Sequence, residues 1–115
     1  MKGSTALLVL DLSQLRNVTL NDEALMREVV GALVSDASQQ IEELRKAVER
    51  SDVKECRRLA HGLMGACGNV GAVSMAALFC SLETSAATGD LSLCQTQLND
   101  LFGELEKLRQ AASSL

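Results

Sequence analysis

Residues 22–50 read DEALMREVVGALVSDASQQIEELRKAVER, and the spacing of their apolar positions decides the fold. Met26, Val29, Val30, Leu33, Ala37, Ile41, Leu44 and Val48 stay within one stripe when each residue turns by about 100°. Strict alternation, the mark of a strand, is absent. The stretch is one long amphipathic helix, and any bend falls near Gly31 or Ser35. Asn21 is expected as its N-cap, with Asp22 and Glu23 at the positive end of the helix dipole.

The same period continues on both sides. Upstream, Leu7–Leu10 lead into a short helix around Asp11–Arg16, and Asn17–Asn21 form a loop. Downstream, Asp52 and Glu55 make a capping box for a third helix from Val53 to about Gly68. Its apolar face is Val53, Cys56, Leu59, Ala60, Leu63 and Cys67. Asn69 and Gly71 suit the left-handed turn that ends a helix. A fourth helix, about 72–88, carries Met75, Leu78, Phe79, Leu82 and Ala86 on one side. Gly89 stops it, and Asp90 caps a fifth helix, about 91–112, with Cys94, Leu98, Leu101, Phe102, Leu105 and Leu108 inward. Short turns force sequential helices to lie side by side. The expected fold is all-α, an antiparallel up-and-down four-helix bundle with a short extra N-terminal helix.

Composition agrees and excludes other classes. The chain has 115 residues and no proline, the size of one domain with a single core. Residues 1–115 are read as that one domain, with 1–5 as a flexible tail. Two aromatic residues and a net charge of −4 argue against a nucleic-acid partner, which calls for a basic face and stacking rings. No segment approaches the roughly 20 apolar residues needed to span a bilayer. Ala6–Leu10 is too short for a signal-peptide core. Cysteines 56, 67, 80 and 94 include no C-x-x-C pair, and the chain has one histidine, so no metal site is expected. Each cysteine falls on the apolar stripe of its helix and reads as a reduced core residue of a cytoplasmic protein.

The one histidine, His61, lies in a glycine-crowded helix: Gly62, Gly65, Gly68 and Gly71 recur every third residue. Each interior glycine costs a helix roughly 1 kcal/mol relative to alanine. Such a cost is tolerated where another backbone or a bulky partner comes close. With Val53 at 0° on a helical wheel, the core arc centres near about 300° and His61 falls near about 80°, facing water. Lys54, Arg57 and Arg58 lie one and two turns before it on the same side, a pattern that an ordinary solvated helix face also produces.

Ala60-His61-x-Leu63-x-Gly65-Ala66-x-Gly68-Asn69-Val70-Gly71 resembles the signature of histidine-containing phosphotransfer (HPt) domains of multistep two-component signalling, approximately A-H-x-L-K-G-[SA]-x-x-x-x-G. The likeness covers the chain from about Leu10 to Leu108. It implies a helical bundle in which His61 accepts a phosphoryl group through Nε2. Gly65 is then the small position that lets a receiver domain dock, and Leu63 and Ala60 anchor the helix. It implies receiver domains of response regulators or hybrid sensor kinases as partners, with the acidic cluster and Mg²⁺ on the partner. The protein itself is expected to be a monomer that needs no cofactor. The docking surface on this reading comprises Lys54, Arg57, Arg58, Met64, Gly65 and Gly68.

One departure stands out. The family places lysine three residues after the histidine, where this chain has Met64. A cation there would hold phosphoryl oxygens, and methionine supplies neither charge nor donor. Either Arg57 or Arg58 takes over that work, or the phosphorylated state forms more slowly and is held less well. Two functions follow. The first is a phosphorelay carrier that takes phosphate on His61 from one receiver and passes it to another. The second is a docking adaptor that keeps the receiver-binding face without phosphotransfer. A nucleophilic imidazole must be neutral, with a lone pair on one ring nitrogen. No Walker-type phosphate loop is present, so autonomous kinase activity is not expected. No second acid or base is clearly paired with His61 in the sequence.

Overall fold

A computed structural model describes residues 8–115. Five helices follow one another: α1 (Leu12–Val18), α2 (Glu23–Glu49), α3 (Val53–Val70), α4 (Val73–Ala87) and α5 (Leu91–Ser113). Each long helix packs on two others, α2 on α3, α3 on α4, α4 on α5 and α5 back on α2, which closes a four-helix ring; α1 leans on α3. This is the expected bundle with its extra N-terminal helix. The proposed tail at 1–5, and Leu7 of the lead-in, lie outside the described residues.

The caps explain where the helices start. Asp11, Asp22, Asp52 and Asp90 each accept a hydrogen bond from the backbone N–H three residues on, at 3.0–3.2 Å. Each cap occupies one of the orphan donors of a first turn. Asp22, not Asn21, caps α2. Asn21 and Leu20 instead take positive φ angles of 64° and 54° and form the turn itself. α1 runs two residues past the expected Arg16, because the Thr19 hydroxyl donates to the Leu15 carbonyl at 2.7 Å and supports a last turn.

The core follows the predicted stripes. Val30, Ala37, Ile41, Leu44, Leu63, Met75, Phe79, Leu82, Leu98, Leu101 and Leu108 are buried, and Leu15 joins them from α1. Two expectations fail at the edges of the stripes. Phe102 is 39% exposed, since Leu98, Leu101 and Leu105 already fill the inward arc of α5. Cys80 is exposed while Cys56, Cys67 and Cys94 are buried. Cys80 follows Phe79 by about 100° on the wheel, which carries it off the core arc. Burial pushes the Cys56 thiol up to about 11 and the Cys67 thiol up to about 12.

α3 continues to Val70, two residues beyond the expected end. Gly71 closes it in the left-handed conformation at φ 97°. A side chain there would also meet the Asp11 carbonyl oxygen at 2.9 Å. The close approach has a purpose: the Asp11 N–H donates to the Gly71 carbonyl at 2.8 Å, and the Ser74 N–H donates to the Leu8 carbonyl at 2.9 Å. The Gln14 side-chain amide reaches the Gly68 carbonyl. The N-terminal segment thus satisfies carbonyls that the end of α3 would leave without partners.

Candidate functional site

His61 sits midway along α3, and the buried neighbours Ala60 and Leu63 hold that helix into the bundle at 0% and 1% exposure. The imidazole points out, with 69% of its side chain exposed. Its Nδ1 lies 3.2 Å from both carboxylate oxygens of Glu83 on α4, whose own side chain is 27% exposed. In the sequence alone no acid is clearly paired with His61. The pair is made by the antiparallel packing of α3 on α4, which sets residues 61 and 83 side by side across 22 positions of chain.

The geometry has a chemical consequence. A carboxylate accepts hydrogen bonds and cannot donate one when ionised, so Glu83 selects the ring form with the proton on Nδ1. The lone pair is then on Nε2, the nitrogen further from the backbone. A neutral imidazole that bonds to an electrophile through Nε2 becomes a cation, and the adjacent carboxylate offsets that charge.

His61 and Glu83 line a shallow groove of about 430 Å³ with Lys54, Arg57 and Arg58. The structure therefore brings the three basic residues and the histidine together on one surface. They are not equivalent. The Arg58 guanidinium holds Glu55 through two hydrogen bonds, at 2.6 and 2.8 Å, and those bonds keep the Glu55 carboxyl below its usual range. Lys54 and Arg57 make no ion pair among the described residues.

On the other side of His61 the surface is bare. Among the described residues, an added Cβ at Gly62, Gly65 or Gly68 would meet nothing within 4 Å. Packing inside the protein therefore does not demand these glycines, in contrast to Gly71. Their cost in helix stability, roughly 1 kcal/mol each, has no intramolecular return. Met64 is half-buried and packs against the core. Among the described residues no cluster of three His, Cys, Asp or Glu side chains is arranged to hold a metal, and no helix is long and apolar enough to cross a membrane.

The family model of the Hpt domain matches residues 28–112. No curated protein sequence matches the chain. Among solved structures it is similar to histidine-containing phosphotransfer protein B (HptB) from Pseudomonas aeruginosa PAO1, with 24% identity, a TM-score of 0.85 and 92% of each chain covered. At that identity the likeness speaks for the bundle alone. The match to the family model spans most of the chain, including all of α3 and α4, and on it the chain belongs to the Hpt domain family, the histidine-containing phosphotransfer domains of phosphorelays.

Proposed function

We propose that His61 is the phosphoryl-accepting residue of a phosphorelay carrier, taking the group from a receiver-domain aspartate and returning it to another. The observation that carries this reading is the His61–Glu83 pair on an open surface: Nδ1 is tied down, and among the described residues Nε2 has no hydrogen-bond partner. The Nε2 lone pair attacks phosphorus in line, and the bond to the aspartyl oxygen breaks with its electron pair remaining on the carboxylate. The ring becomes a cation that keeps its Nδ1 proton against Glu83. In the reverse step a receiver carboxylate attacks phosphorus, and the P–N electron pair returns to Nε2. Such a transfer needs positioning and charge stabilisation rather than covalent help.

The partner supplies the acidic cluster and Mg²⁺, so this chain needs no cofactor and no nucleotide site of its own. It acts as a carrier and not as a kinase. Lys54, Arg57, Arg58, Met64, Gly65 and Gly68 form the surface that a receiver covers, and the side-chain-free stretch at Gly62, Gly65 and Gly68 suits a close approach. The protein works as a monomer in the cytoplasm.

Incubation with phosphorylated receivers from the same organism tests the assignment. Label should appear on this protein in an acid-labile, base-stable linkage and be lost in His61→Gln. Equal labelling of His61→Gln, or none with any receiver, overturns it.

A second reading has its own support in Met64, which packs against the core and puts no cation beside the imidazole. On that reading the protein is a docking adaptor for a receiver domain or kinase. Met64→Lys separates the two. A large gain from a near-zero rate favours the adaptor, and a modest change favours the carrier.

A further inference from the structure

From the groove beside His61 we infer that Arg57 is the cation that holds the phosphoryl group, in place of the lysine for which Met64 stands. The inference rests on the reading of His61 as the phosphoryl acceptor and deepens it. Three observations converge on Arg57: the first sets it apart from Lys54 and the second from Arg58.

The first is position. Helical side chains lean toward the N-terminus of their helix, so the imidazole of His61 reaches back over the turn that bears Arg57 and Arg58 and away from Met64. At 1.5 Å of rise per residue, Arg57 begins roughly 6 Å from His61 along the axis and Lys54 roughly 10 Å. The second is availability. Arg58 is bound by both oxygens of Glu55, whereas Arg57 has no carboxylate partner among the described residues. The third is the shared open groove, which both Arg57 and His61 line. Glu83, on the same groove, is engaged with Nδ1.

The chemistry fits this division. A phosphoryl group on Nε2 carries two negative charges or nearly so, and a guanidinium binds such oxygens through paired N–H donors. Glu83 then faces the positive ring and Arg57 faces the negative phosphoryl group. In this arrangement the cation comes from the preceding turn, where the family pattern takes it from the following one.

Phosphoramidate, a small donor that labels histidine and releases ammonia, removes the receiver from the experiment. Arg57→Ala should slow labelling of His61 about tenfold, the effect of one lost charge-assisted hydrogen bond. It should also raise the second ionisation of the phosphoryl group in a ³¹P NMR titration, which a merely structural role would not move. Arg58→Ala should slow labelling no more than roughly two- to threefold, as befits an exposed ion pair. Met64→Lys added to Arg57→Ala should recover most of the lost rate. Labelling of Arg57→Ala at the wild-type rate with an unmoved ³¹P titration overturns the inference and leaves His61 as acceptor. A larger loss in Arg58→Ala than in Arg57→Ala overturns it too. Wild-type labelling that persists in His61→Gln overturns the acceptor assignment itself, and the role of Arg57 with it.

Discussion

Nδ1 of His61 lies 3.2 Å from both carboxylate oxygens of Glu83, which joins the middle of α3 to the middle of α4 at the one exposed imidazole of the chain. The contact orients the ring without burying it. Glu83→Ala should let the ring take both neutral forms, visible as a change in ¹⁵N shifts of the imidazole. Transfer from a receiver should fall about tenfold, the value of one hydrogen bond to a charged group. Glu83→Gln keeps an acceptor oxygen and should lose less. Unchanged ¹⁵N shifts in Glu83→Ala would show that the carboxylate does not set the ring form.

The glycines beside His61 separate stability from transfer. Among the described residues nothing stands within 4 Å of a Cβ added at Gly65 beyond its own helix backbone, and the residue is mid-helix. Gly65→Ala should therefore stabilise the fold by roughly 1 kcal/mol, or a rise of several degrees in Tm for a domain of this size. Gly65→Leu should also remain folded. Its transfer from a receiver should drop at least about tenfold, because a side chain stands where the partner must close. Labelling by a small donor should fall far less. A thermal melt and the two labelling rates decide the matter.

Gly71 behaves oppositely. Its φ of 97° is hostile to a side chain, and the Asp11 carbonyl oxygen stands 2.9 Å from where a Cβ would be. Gly71→Ala should cost about 1–2 kcal/mol from the left-handed backbone alone, with the clash in addition. The loss should be localised: amide exchange in residues 8–14 and at the end of α3 should speed up more than in α5. A melt and an exchange profile check both parts.

The cysteines give a pH-dependent outcome. Cys80 is exposed, and Cys56 and Cys67 are buried with thiols pushed up from 9.0 to about 11 and about 12. In the native protein a thiol reagent at pH 8 should modify Cys80 and leave the other three until the chain unfolds. The sign of the linkage follows from the raised values. Folding holds these protons more tightly than the unfolded chain does, so stability is unaffected below about pH 9 and declines as pH rises from there toward 11–12. A series of melts from pH 8 to pH 11 should show that decline. Cys56→Ser with Cys67→Ser should reduce it.

Much of the bundle is legible in the sequence. The stripe from Met26 to Val48, the aspartates before α3 and α5, and the break at Gly89 are local signals, because helix periodicity and caps are decided within a turn or two of chain. The exposure of His61 was legible for the same reason, since the core stripe of α3 left only one side for it. The misses lie where a wheel is too coarse. Cys80 and Phe102 border their stripes, and which border residues are covered depends on how closely the neighbouring helix approaches. Asn21 and Asp22 are both good caps, and the tight turn at Leu20 chose between them.

What the sequence by itself determined is therefore the helices, their inward faces and the side of α3 on which the histidine stands. Tertiary structure alone decided that Glu83 would meet that histidine, that the segment from Leu8 to Gln14 would close the end of α3, and that the glycines at 62, 65 and 68 would face open space. The physical reason is range. Periodicity and capping act between residues a few positions apart, whereas the His61–Glu83 contact spans 22 residues and the Gln14–Gly68 contact 54. Such contacts exist only once packing has fixed the register of one helix against the next.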